Sequence, residues 1–173
     1  MAYIVLTEAE ASAAETVLEG LERMKAVLEA NRPILRAGGR TVGERSILIS
    51  AQSAIAQFPA IQIEPTKLLE VPATLGGSSG QNRVRATYRL YLYDLALGRG
   101  EELTRQLAQL TDRVQAVLRR NRTLDGFCLD LWVERVIYGR LRGGPRTVNP
   151  IFAPHPIFAS QIDATIERWI ERG

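Results

Sequence analysis

Reactive side chains are scarce in this chain. Its 173 residues hold one cysteine, Cys128, and one histidine, His155. A single thiol excludes an internal disulfide framework and any multi-thiol zinc site. The one imidazole sits between Pro154 and Pro156 with no activating neighbour, so neither a Ser/His/Asp nor a Cys/His set can be assembled. Lysine is nearly absent, with only Lys25 and Lys67, and arginine carries the positive charge. No apolar run approaches the roughly 18 residues of a membrane span. The opening MAYIVLTEAEASAAE lacks the basic start of a signal peptide, so the expectation is a chain that is neither exported nor membrane-embedded. No catalytic residue, metal site or cofactor is expected.

What is present is an ordinary globular balance, 46% hydrophobic and 24% charged. The length suits a single domain over 1–173 with a core of its own. A net charge of +3 and a pI near 9.3 permit contact with nucleic acid or acidic protein but demand neither.

Periodicity divides the chain. Thr7-Glu8-Ala9-Glu10 fits a capping box, and Val17, Leu21, Met24 and Leu28 recur at helical spacing, predicting a helix over about 8–30 that ends before Pro33. The glycine-rich 37–46 reads as a mobile loop and 74–82 as a Gly/Ser linker. Ile47–Ile49 and Ala60–Glu64 are short strand candidates. In 83–94, Val84, Ala86, Tyr88, Leu90 and Leu92 alternate with Arg83, Arg85, Thr87, Arg89 and Tyr91, predicting a long strand with one apolar face and one basic, aromatic face. Leu103, Leu107, Leu110, Val114, Val117 and Leu118 form a second helical stripe, with Glu101 and Glu102 at its start and Arg119 and Arg120 at its end, each favourable to the helix dipole. Asn121 suits a left-handed C-terminal turn and Asp125-Gly126 a tight turn. A strand is expected next, with Phe127, Leu129, Leu131, Val133 and Ile137 on one face, interrupted by Arg135. The proline-rich 141–156 reads as an extended arm or long loop. The last segment fits both a helical stripe and alternation; a strand over about 158–168 is the reading adopted.

Three constellations invite a functional reading, and each has a plainer one. Leu75–Gly80 is glycine-rich but lacks a Walker lysine and a strand-to-helix context. Asp94, Asp125 and Asp130 would serve as a metal site only if they met at one end of the sheet; turns and solvent explain them more simply. Arg83, Arg85 and Arg89 with Tyr91 and Tyr93 have the charge and aromatics of a nucleic-acid platform, but a solvated or subunit-facing sheet surface is the simpler account.

The order of parts resembles a known family. An N-terminal helix, a glycine-rich gap, the YRLYLYD strand (Tyr88 to Asp94), the LTDRVQAVLRRNRTLDG helix and turn (Leu110 to Gly126) and a strand ending VERVIYG (Val133 to Gly139) are similar to tail terminator proteins of tailed bacteriophages. The Asn-x-Thr-Leu-x-Gly turn is matched at Asn121, Thr123, Leu124 and Gly126. The resemblance is best over 83–139; the 37–46 loop and 141–156 arm fall outside it. It implies an α+β fold, a mostly antiparallel sheet with two long helices on one face and long loops or arms. It also implies a structural virion protein of the tail or neck, assembled in the host cytoplasm. There it would form a homo-oligomeric ring, expected to be a hexamer, that caps the tail tube, ends its polymerisation and meets the head connector or stopper. Passing DNA would be touched transiently. Exposure and loop position mark Arg40, Arg45, Arg83, Arg85, Arg89, Tyr91, Arg142, Arg146, Phe152 and Phe158 as candidate interface residues. Another neck component (a stopper or head–tail adaptor) or the cap of a contractile injection device is the nearer alternative; a nucleic-acid-binding module is the more distant one.

Overall fold

Alternating apolar residues in three long segments and two amphipathic stripes leave the chain one economical solution: a sheet with helices on its apolar face. The computed structural model, which describes residues 5, 7, 8, 15–49, 55, 57–72, 81–95, 100–139 and 157–171, has this architecture. In chain order the elements are helix α1 (Thr16–Ala30), a 3-10 turn (Arg32–Ile34), β1 (Arg36–Ala37), β2 (Arg40–Thr41), β3 (Ile47–Ile49), β4 (Ala60–Pro72), β5 (Gln81–Leu95), helix α2 (Gly100–Arg120), β6 (Asp130–Ile137) and β7 (Ile157–Glu171). The main sheet runs β3-β4-β5-β7-β6; every pairing is antiparallel except that of the short β3 with β4. The fold is α+β, as expected.

Both helices bury their stripes on one face. Ala86, Tyr88, Leu90 and Leu92 of β5, with Ile162, Ala164 and Ile166 of β7, pack against Leu21, Met24 and Leu28 of α1 and Leu110, Val114, Val117 and Leu118 of α2. Tyr88 reaches furthest. It is fully buried, and its hydroxyl donates to the Val17 carbonyl of α1 at 2.9 Å. Gly20 permits this approach, because a Cβ there would lie 2.8 Å from Ile166 Cδ1 and closer still to the Tyr88 hydroxyl. Gly20→Ala should therefore destabilise the protein by about 1–2 kcal/mol, overpacking outweighing the gain in helix propensity. Adding Tyr88→Phe should recover part of that loss in a double-mutant cycle of melting curves; independent, additive effects would contradict the contact.

Several expectations need correction. The first part of the 37–46 segment belongs to a docked hairpin, with β1 and β2 paired antiparallel over 36–41 and a turn following. Gly38 supplies the positive φ of its turn and donates its amide to Gln109 of α2 at 2.9 Å, while Ala37 and Val42 are buried. Gly38 thus serves turn geometry, and Gly43 serves close packing against Gln57. β4 extends well beyond Glu64, and β5 begins at Gln81, so 81–82 are strand where linker was expected; 74–80 and the 141–156 arm lie outside the described residues. Helix α1 is described from Thr16. The expected start at residue 8 and the capping box depend on 9–14, outside the described residues. β7 is the strand expected at the C-terminal end, running from Ile157 to Glu171.

The turn between α2 and β6 differs most. Asn121 does not adopt the left-handed conformation; its side-chain amide donates to the Val117 carbonyl at 2.8 Å and so satisfies the helix end. Positive φ falls on Leu124, Asp125 and Gly126 instead. Thr123 Oγ1 accepts from the Gly126 amide, and Leu124 is fully buried. Strand pairing then begins at Asp130, leaving Phe127 buried in a turn and Leu129 exposed, so these two do not extend the strand face. A bulge between Val133 and Arg135 swaps the faces beyond it: Val136 pairs opposite Ile162 on the core side, and Arg135 and Ile137 turn to the open side. The arginine that interrupted the pattern marks the bulge.

Candidate subunit-facing surface

The sheet face opposite the helices carries the sequence's most distinctive pattern. Antiparallel pairing of β5 with β7 places Arg83 opposite Trp169, Arg85 opposite Glu167, Thr87 opposite Thr165, Arg89 opposite Asp163 and Tyr91 opposite Gln161. β6 adds Trp132 and Arg135 beside them.

Each arginine has a defined partner. Arg85 Nε donates to Glu167 at 2.7 Å and its guanidinium lies over Trp132, 5.8 Å from the ring centroid. Arg83 stacks on Trp169 at 5.0 Å and forms an ion pair with Glu167 at 3.5 Å. Arg89 and Arg135 both donate to the nearly buried Asp163, at 2.9 and 2.7 Å, and Gln161 adds a third donor. Tyr91 stacks with Tyr93, centroids 6.0 Å apart. A guanidinium committed to a carboxylate and an indole is poorly placed to take up a phosphate, so this is a braced polar surface rather than an open ladder of charge.

Burial pushes the Asp163 carboxyl up, but the hydrogen bonds from Arg89 and Arg135 together outweigh it and hold the group below its usual range. A carboxylate with a depressed folded pKa stabilises the fold above its unfolded pKa, and that contribution disappears as pH falls through the folded value. Asp163→Asn should cost about 1–2 kcal/mol at neutral pH. Acid titration of stability should show the difference from the parent vanishing at low pH; a constant offset would contradict the ionic role.

The other candidates do not join this surface. Arg40, in the β1–β2 hairpin, donates to the fully buried Asp94 at 2.8 Å, so it ties the hairpin to β5 and is a structural cation. Arg45 is exposed in the turn before β3, beside an open groove lined by Arg32, Thr41 and Glu44. Phe158 is on the helix side of β7, lining an apolar depression with Leu103, Leu107 and Tyr138. Arg142, Arg146 and Phe152 lie outside the described residues, as do His155 and Leu75–Gly80. Asp94, Asp125 and Asp130 do not converge: Asp94 holds Arg40, Asp130 holds Arg122 at 2.6 Å, and no group of three or more His, Cys, Asp or Glu side chains suited to a metal occurs among the described residues. Cys128 is buried, with its thiol pushed up to about 11 chiefly by burial, and is poorly nucleophilic.

Sequence reading missed Asp163, Glu167, Trp132 and Trp169 as members of this surface. A signal was present. Arg85 and Arg89 are four residues apart, as are Asp163 and Glu167, which is what two antiparallel strands need to pair both couples on one face.

The second notable surface is the outer half of β4. Glu64 to Glu70 are exposed or half-buried, with Leu68 at 55% and Leu69 at 42% exposure on opposite faces of the strand. β3 covers the β4 edge only at Ile61–Ile63; beyond it, that edge has no strand partner among the described residues. No protein-family model matches this chain, and no curated protein matches it.

Proposed function

We propose that this protein is a tail terminator of a tailed bacteriophage, a ring-forming subunit that caps the tail tube, ends its growth and presents a surface to the head connector. The observation that carries the reading is the outer half of β4, where two leucines on opposite faces and a strand edge with no partner among the described residues stand clear of the monomer's core. Such a feature suits contact with another polypeptide better than any chemistry of side chains. The family-like turn adds support, since Asn121, Thr123, Leu124 and Gly126 each have a distinct structural task in it. The paired arginines of the open face fit a stiff wall more readily than a nucleic-acid platform.

The functional test is a polymerisation assay with tube protein from the same phage. Added protein should halt elongation at substoichiometric amounts and decorate one tube end. Continued growth with undecorated ends would overturn the assignment, and decoration of the connector alone would move the protein to a stopper or adaptor role.

A further inference from the structure

The sheet has two open edges among the described residues: the outer half of β4, beyond the short β3 on one side, and β6 on the other. We propose that these two edges join, β4 of one copy to β6 of the next, so that the sheet runs on from subunit to subunit. This rests on the ring reading above and names the contact that would build the ring.

Strand direction permits it. Successive antiparallel pairings through β5 and β7 leave β6 running opposite to β4. A neighbour placed head to tail therefore brings its β6 alongside β4 in the antiparallel sense, the geometry used throughout the rest of the sheet beyond β3. Such a contact is heterologous, and the rotation contributed by sheet twist allows it to close.

Level also permits it. Following the pairings straight across the sheet, Glu64 lies level with Arg89, Asp163 and Arg135; Lys67 with Thr87, Thr165 and Trp132; Leu68 with Ala86, Ile166 and Leu131; and Leu69 with Arg85, Glu167 and Asp130. Carried into the next copy, Glu64 meets Arg135, Lys67 meets the face of Trp132 and Leu68 meets Leu131. Opposite charges pair, a cation meets an indole, and the exposed Leu68 comes level with Leu131, whose side chain is buried in the core of its own copy. The stretch from Glu64 to Leu69 begins where β3 stops, so β3 sets one end of the joint; Val136 and Ile137 fall outside it. Each edge carries a bulge close to the level of Tyr88, between Pro65 and Lys67 on β4 and between Val133 and Arg135 on β6. Pro65, Lys67 and the bulges guard these edges against indiscriminate pairing, and a partner with its own irregularity at the same level fits.

The test uses two full-length variants, Leu69→Cys at an exposed position and Asp130→Cys at a half-buried one, with a short bismaleimide as crosslinker. The buried Cys128 of the parent should give no product. Each variant alone should give none, their mixture should give a crosslinked dimer, and the double variant should give a ladder of closed length. Leu68→Glu should abolish the ladder while leaving the monomer's melting temperature unchanged, which separates loss of contact from loss of fold. A dimer from Leu69→Cys alone would mean a two-fold contact between β4 edges and would overturn the proposal. Rings in micrographs without any mixed crosslink would overturn it too, while leaving the ring reading intact; crosslinked chains that never cap a tube would support the joint and count against the terminator role.

Discussion

Replacing Arg40 with alanine is expected to cost about 2–3 kcal/mol at neutral pH, a value set by the penalty for stranding a buried carboxylate and reduced because Arg40 is partly solvated. Asp94 is fully buried, and beyond Arg40 it is held by the Leu95 amide at 2.9 Å. Burial raises its pKa, against the opposing pull of Arg40. A carboxyl whose folded pKa lies above its unfolded value takes up a proton on folding, so stability falls as pH rises between the two values. Without Arg40 the folded value rises further and that window widens. The penalty of Arg40→Ala should therefore be full at neutral pH and shrink as pH falls through the raised pKa. Denaturant titrations across that range would read it directly; a penalty that grows toward acid pH would contradict the account. The β1–β2 hairpin should loosen as well, seen as faster amide exchange at Val42, whose amide bonds the Leu35 carbonyl at 2.8 Å.

Leu124→Ala should cost about 3 kcal/mol, in the usual range for a buried leucine. Leu124 has a φ of 47°, a conformation that non-glycine residues adopt at a cost of roughly 1–2 kcal/mol. Its side chain offsets this by filling the core between α1 and the turn, where Arg23 also donates to the Leu124 carbonyl at 3.3 Å. Alanine keeps the strain and loses the burial. Leu124→Gly relieves the strain but loses the same packing, and should be less damaging than alanine by up to about 1 kcal/mol. Equal melting temperatures for the two variants would show that backbone strain is not stored there.

The core was legible because its patterns are strong and uncontested. Every residue of the α2 stripe from Leu103 to Leu118 is buried, and the alternation in β5 separates core from open face as predicted. Where the reading failed, one residue had two possible uses. Glycine at 38 signalled looseness but serves a tight turn packed on α2. Arg135 interrupts the apolar face of its strand as the consequence of a bulge, which no two-residue period anticipates. Asn121 tolerates left-handed backbone, yet it is its side-chain amide that caps the helix end. The candidate surface was half legible. The arginines were visible on one strand, but their partners lie over seventy residues away, and pairing register between distant strands is not written in either strand alone.

In the proposed role this chain works by fitting against copies of itself and against a tube. The most direct test is the mass of the purified protein in solution, by analytical ultracentrifugation with and without tail tubes, followed by electron micrographs of the same samples. A closed ring is expected, formed alone or on the tube end, with a mass that is a fixed multiple of 19.2 kDa. A single copy that persists at high concentration and in the presence of tubes would contradict it.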